Sequence, residues 1–369
     1  MLLPRLIAAA AVQVLGRDHG DDDSSDDCVK ATPGYNGNVP VDACNSYYNY
    51  DPQVAPAVAT AVIFAIFTGI HLFEAFFFKK RYTWVLIMGS LWETLAFVIH
   101  TLGAKDQQQV GYSTAWNILF LLAPLWINAF AYMTFARVVH FWLPRGRVGG
   151  LRANTIARWF VLADVASFLI QATGGIMASP SASPDVIKTG IDIYMVGMGI
   201  QQFFILVFVA LMVMFHRRCN AAGIDGRAVM AQFSADGTQK PSWRPLMYAL
   251  YGVLVAITVR IIFRIAEFAR GLKPENPIPF HEEYTYALDC FPMMVALLIL
   301  AVFHPGRYLV GPESEFPRLS RKEKNAAKQE KKAAKQEKKA AKQEKKEAKR
   351  FAKEQGTGYK NVAQESDQV

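Results

Sequence analysis

Apolar residues gather into seven long runs separated by short polar segments. The runs cover 54–78, 82–102, 112–142, 156–178, 187–216, 243–269 and 283–303. A helix crosses the hydrocarbon core of a membrane with about 20 apolar residues, and each run is long enough to do so. The pattern predicts an all-α protein, a bundle of seven transmembrane helices within residues 47–306.

Lys and Arg are concentrated in alternate connections: those after the first, third and fifth runs, and the segment after the seventh. Cytoplasmic loops carry the positive excess, so this distribution predicts an N-terminus outside and a C-terminus in the cytosol. Residues 1–46 then form an extracellular segment with an acidic stretch at 21–27. Its alanine-rich start, 1–16, has the features of a weak signal peptide.

The extracellular segment contains Cys28 and Cys44. Oxidising conditions outside the cell permit a disulfide between them. Two cysteines do not by themselves require one, and both the bridged and the free state stay open.

The C-terminal tail, residues 307–369, repeats the sequence AAKQEKK three times over 326–346. Residues 318–353 hold sixteen Lys and Arg against five Glu, more positive charge than the net +9 of the whole chain. The basicity therefore belongs to the tail and does not indicate nucleic-acid binding. The tail either binds anionic inner-leaflet lipids as a charged helix or stays solvated and partly disordered, and a vesicle-binding assay that varies anionic lipid separates the two.

Polar residues interrupt the predicted spans at helical spacing. An ionised side chain at the centre of a membrane costs about 2.5–3.5 kcal/mol, so these residues are expected to face the bundle interior and to pair. The candidates for a substrate pathway are Glu93, His100, Asn128, Asp164, Gln171, Gln201, Arg260, Arg264, Glu267 and Asp289. A structural ion-pair cluster or an outward-opening site for a charged head group is expected at Arg260, Arg264, Glu267 and Asp289, and the two interpretations are compatible. Asp164 and Gln171 are alternatively expected to form interhelical hydrogen bonds. Small residues allow close helix approach, which is the role expected for Gly174, Gly175, Gly197 and Gly199.

An ordered series of motifs runs through five of the spans. It comprises LAPLWINAFAYMTFARVV from Leu122, F-x3-D-x2-SF-x2-Q-x2-GG from Phe160, G-x3-Q at Gly197–Gln201, R-x3-R-x2-E-x3-G from Arg260, HE at 281–282, Y-x2-D at 286–289 and HPG at 304–306. The series resembles the fungal lipid-translocating exporters, also called the RTA-like family, over about 47–306. The resemblance implies a plasma-membrane protein that translocates amphiphilic lipids, such as sphingoid long-chain bases and sterol-like toxicants, or confers tolerance to them.

The second span departs from the family pattern, which usually reads E-x2-GY-x2-R. Here Glu93 is followed by Ala96, Phe97 and His100. A titratable His therefore stands where a permanently charged Arg is expected. The substitution predicts an altered or pH-dependent specificity.

Other functional classes find little support in the sequence. The chain has no Gly-Lys dipeptide and so no P-loop, which predicts that transport is not driven by ATP. The His residues are scattered without zinc-ligand spacing, so we predict neither an enzyme nor a metal or other cofactor. A seven-helix lipid sensor or receptor in membrane-stress signalling is the alternative function, because it shares the topology. The sequence leaves substrate identity and oligomeric state open.

Overall fold

The helices and the segment that precedes them account for most of the described structure. The computed structural model describes residues 29–41, 43, 45–143, 146–178, 183–223, 242–269, 271, 276–311, 316, 329 and 336–337. Cys28, Cys44 and nearly all of the Lys-rich tail lie outside these residues, and so do the predictions made for them. The chain divides after Glu315 into a unit that carries the helices and a unit that carries the tail.

Seven helices in the described residues are long and apolar enough to cross a membrane, which confirms the predicted all-α architecture. They are α1 Val54–Phe78, α2 Trp84–Lys105, α3 Val110–Trp142, α4 Ala153–Met177, α5 Pro184–Ala221, α6 Arg244–Phe268 and α7. Helix α7 has three contiguous pieces: an α-helical turn Glu282–Thr285, a π-helix Tyr286–Cys290 and an α-helix Phe291–Val302.

The helix ends differ by a few residues from the ends of the apolar runs. Helix α5 shows the largest difference, because it ends at Ala221 whereas its apolar run ends at His216. The extra turn contains Arg217 and Arg218, which are polar but form helix readily. Hydropathy therefore locates the membrane-crossing part of a helix, but not where its hydrogen bonding ends.

A short antiparallel hairpin connects α3 to α4. Its strands are Arg147–Val148 and Leu151–Arg152, with Val148 opposite Leu151. Gly149 and Gly150 form the turn with φ of 56° and 80°. Glycine is favoured at both positions because a left-handed backbone strains other residues.

Helices that follow one another in the chain pack against one another, and α1 also packs against α7. The bundle is thereby closed on itself. Helix α3 additionally contacts α6 across the interior, and it contains many of the fully buried large side chains, among them Ile127, Phe130, Tyr132 and Phe135. Helix α3 is therefore the central helix around which the predicted site residues of the other helices are arranged.

The described residues that precede α1 pack on one end of the bundle. The Gln107 backbone N–H donates to Asn36 O at 2.9 Å, and Gln108 Nε2 donates to Gly37 O at 2.7 Å. Both bonds join residues 29–53 to the connection between α2 and α3. We call this end of the bundle the N-terminal face.

Helices α4 and α5 approach closely at two of the four glycines expected there. A Cβ on Gly174 would lie 2.4 Å from the Tyr194 backbone nitrogen, and one on Gly197 would lie 2.7 Å from a side-chain carbon of α4. Both distances are shorter than any real contact. Gly175 and Gly199 face open space, so the expectation of close packing is wrong for these two.

Gly174→Ala is expected to destabilise the protein, because its new methyl group meets backbone that cannot move aside. Overpacking of this kind costs about 1–3 kcal/mol. The measurement is thermal unfolding of the purified protein in detergent. Gly175→Ala is the matched control and is expected to stay near the wild-type midpoint. Equal midpoints for the two variants would contradict the close approach.

Candidate functional site

Two arginines of α6 converge on one carboxylate of α7. Arg260 and Arg264 are one helical turn apart, and the Nε of each donates to a different oxygen of Asp289. Arg264 Nη1 also donates to Glu267 Oε2 at 2.9 Å. Asp289 is fully buried, and the Arg260 side chain is only 6% exposed. The predicted pairing of these four residues, the arginine–carboxylate network, is present in the structure.

A proline in α3 supplies the network with a further acceptor. Pro124 has no N–H, so the carbonyl of Phe120, four residues earlier, lacks its usual helical hydrogen bond. Arg260 Nη2 donates to this carbonyl at 3.2 Å, and the Phe120 ring lies 5.2 Å from the guanidinium carbons of Arg260 and Arg264. Phe120 was not among the residues predicted from the sequence, although a proline inside a helix is the signal that could have indicated it.

Glu93 of α2 lies beside the network without joining it. The residue is fully buried, and neither carboxyl oxygen has a hydrogen-bond partner among the described residues. It is close enough to interact electrostatically with Arg260, Arg264 and Asp289. The network already balances two guanidinium groups with two carboxylates, so Glu93 is a third carboxyl group without a cation of its own. A buried carboxyl in this position requires a proton or a bound cation.

His100 pairs with a residue that the sequence analysis did not select. His100 Nε2 lies 3.1 Å from Glu282 Oε1, and Tyr286 OH donates to the same oxygen at 2.8 Å. The His100 ring stacks on Trp116 of α3, with ring centroids 4.2 Å apart. Glu282, Tyr286 and Asp289 lie on one face of α7 by their spacing of four and three, which is the signal that could have identified Glu282.

The remaining candidates form two hydrogen-bonded pairs on other helix interfaces. Asn128 Nδ2 donates to Asp164 Oδ2 at 3.1 Å between α3 and α4. Gln171 Nε2 donates to Gln201 Oε1 at 3.0 Å between α4 and α5. Within the described part of the chain, neither pair shares a hydrogen bond with the network. Their geometry accounts for helix packing, and a role in a substrate pathway stays a prediction.

Asp289→Asn is expected to destabilise the protein, because the buried Arg260 and the partly buried Arg264 would lose the carboxylate that they share. Removing one partner of a buried ion pair costs about 3–5 kcal/mol. Thermal unfolding in detergent measures the loss. Asp192→Asn, which removes an exposed carboxylate of α5, is the control and is expected to stay near wild type. A midpoint for Asp289→Asn as high as that of the control would show that the network does not stabilise the bundle.

Comparison with known proteins relates this chain to fungal membrane proteins. The family model described as "RTA1 like protein" matches residues 86–311. The chain is 43% identical over 302 residues to a probable lipid transporter, atnI, of Emericella nidulans, an alignment that covers 82% of this chain and 78% of that one.

Two relatives from Saccharomyces cerevisiae are more distant. Protoporphyrin uptake protein 1 is 24% identical, with 69% of this chain and 90% of that protein aligned. The sphingoid long-chain base transporter RSB1 is 21% identical, with 72% of this chain and 75% of that protein aligned. No solved structure shows a significant match. The family match and the 43% identical relative together show that this seven-helix chain belongs to the RTA1-like family of fungal membrane proteins.

Proposed function

We propose that this protein moves amphiphilic lipids through its helical bundle without ATP, at the fungal plasma membrane. The relatives named as lipid transporters support lipid movement or tolerance as the general function. Sphingoid long-chain bases and sterol-like toxicants are the proposed substrates. One observation carries the proposal: Glu93 is a fully buried carboxyl with no hydrogen-bond donor in the described part of the chain, beside a network whose charges already balance.

The chemistry of Glu93 fits a cationic head group. A sphingoid base carries an ammonium group, which donates hydrogen bonds and supplies the positive charge that Glu93 lacks. The carboxylate and the ammonium would compensate each other in a setting where either alone is costly. Asp289 and Glu267 do not offer the same partnership, because Arg260 and Arg264 already bind them. The structure therefore favours Glu93 over the other two acidic residues as the group that meets the substrate.

The proposed orientation has the N-terminal face outside the cell. Lys79, Lys80 and Arg81 follow the C-terminal end of α1, and Arg217 and Arg218 are at the C-terminal end of α5. Both helices start at the N-terminal face, so these cations belong to the opposite face, as expected for the cytosolic side. The arginine–carboxylate network then lies in the outer half of the membrane.

Glu93→Gln is expected to fold normally and to lose most of the export. Glutamine has nearly the same shape and removes no hydrogen bond that the structure contains. The measurement is efflux of a labelled sphingoid base from yeast cells that carry wild type, Glu93→Gln, Asp192→Asn or an empty vector, at matched surface levels. We expect Asp192→Asn to export like wild type and Glu93→Gln to be about tenfold slower, a factor equivalent to about 1.4 kcal/mol.

Two results would contradict the proposal, one the role of Glu93 and the other lipid export itself. Export by Glu93→Gln at the wild-type rate would remove Glu93 from the pathway. Equal efflux from all four strains would exclude direct export of this lipid and would favour the alternative function, a seven-helix lipid sensor.

A further inference from the structure

A cavity of about 830 Å³ opens on the N-terminal face between the start of α1 and the start of α7. Small-molecule sites commonly have volumes of about 300–1,000 Å³. Its lining residues come from three short segments: residues 50–60 before and within α1, the 3-10 turn at Phe280, and the first turns of α7. We call this cavity the α1–α7 groove.

The groove lies on a surface that faces lipid. Val58 on α1 and Leu288 and Phe291 on α7 are 42%, 40% and 61% exposed, and exposed apolar side chains of a transmembrane bundle contact acyl chains. Ala59 of α1 and Ala287 of α7, which have small side chains, line the groove. A lipid could therefore reach the groove sideways from the surrounding membrane.

The charged side chains that line the groove are mostly acidic. They are Asp51, Glu282, Glu283 and His281, and no Lys or Arg stands among the described lining residues. Glu282 is held in place by three donors: Gln53 N at 2.9 Å, Tyr286 OH at 2.8 Å and His100 Nε2 at 3.1 Å. The first two are neutral groups. The third is the imidazole of His100, which donates through Nε2. Its buried Nδ1 has no acceptor for a second proton among the described residues. Glu282 then keeps its full negative charge.

Tyr50 supplies a second polar group at the groove. Its hydroxyl is buried and has no hydrogen-bond partner among the described residues. Burial, together with the nearby negative charge of Glu282, raises the pKa of the Tyr50 phenol well above its usual range. Tyr50 therefore stays a neutral donor and acceptor, which suits the hydroxyl or amine of a polar head group.

We propose that the α1–α7 groove is the docking site at which a single-chain amphiphile with a protonated amine enters the protein from the outer leaflet. The ammonium group pairs with Glu282, Tyr50 hydrogen-bonds the head group, and the alkyl chain lies along Ala59, Ala287 and Phe291. An amphiphile of the same length with an uncharged head lacks the ion pair. This inference rests on the proposed function for the step that follows docking, but the binding it describes can be measured separately.

His100 is a positioning residue in this site. Its Nε2 contacts Glu282. The His100 ring also lies near two aromatic rings, with its centroid 6.3 Å from that of Tyr48 and 4.2 Å from that of Trp116. A neutral imidazole orients the carboxylate and leaves its charge available. An arginine at this position would neutralise Glu282 permanently, whereas a glutamine would keep a neutral donor.

The test measures binding by purified full-length protein in lipid nanodiscs. The probes are a fluorescent long-chain primary amine and its N-acetyl derivative, which has the same chain and no charge. Wild type is expected to bind the amine about tenfold more tightly than the derivative. Glu282→Gln and His100→Arg are expected to remove this preference, and His100→Gln is expected to retain it.

A second pair of variants tests the groove without touching a charged group. Ala59→Trp fills the groove and is expected to weaken binding of both probes about tenfold or more. Val58→Trp adds the same side chain at the neighbouring lipid-facing position outside the groove, and it is expected to bind like wild type. Thermal unfolding checks that each variant is folded.

The proposal is overturned if folded Glu282→Gln keeps the full preference for the amine, or if Ala59→Trp binds both probes like wild type. Failure of the proposed function gives a different pattern, in which wild type binds the amine with the expected preference but does not accelerate its efflux from cells. Efflux by wild type together with unimpaired binding and efflux by Ala59→Trp would reject the groove and leave the proposed function standing.

Discussion

The structure depends on one buried carboxylate that binds two arginines. Asp289 accepts from Arg260 and Arg264 in the interior of the bundle, where an unpaired charge would be very costly. The shared contact fixes α7 against α6, and the bond from Arg260 to the Phe120 carbonyl joins α3 to the same point. Asp289 lies in a π-helical segment, an irregularity that often occurs at functional sites.

This constraint also determines where charge remains available. Because the two arginines are already paired with Asp289 and Glu267, Glu93 has no hydrogen-bond partner of its own among the residues that the structure describes. By holding α7, the network also positions Glu282 at the edge of the bundle, where it faces the α1–α7 groove. In the pathway that we propose, a cationic head group meets Glu282 first, at the lipid-facing surface, and Glu93 afterwards, in the interior.

The fold and part of the site could be predicted because their signals are local in the sequence. Apolar runs of sufficient length indicated the seven helices, and the spacing of Arg260, Arg264 and Glu267 indicated a shared face. The pairing of His100 with Glu282 could not be predicted in this way, because 182 residues separate them and no helical period relates them. The groove was equally inaccessible, since it depends on how closely α1 and α7 pack. The same limit applies to the glycines of α4. Whether Gly174 or Gly175 contacts α5 depends on how α4 is rotated about its axis. The sequence does not indicate that rotation, because α4 is only weakly amphipathic.

Our proposal requires that the protein itself moves amphiphiles across a bilayer without ATP. The most direct measurement uses purified protein in sealed liposomes, with a fluorescent long-chain amine in the inner leaflet and no nucleotide present. We expect the amine to become accessible to an external quencher faster in liposomes that contain wild type than in protein-free liposomes. Equal rates in the two preparations would contradict transport by this protein.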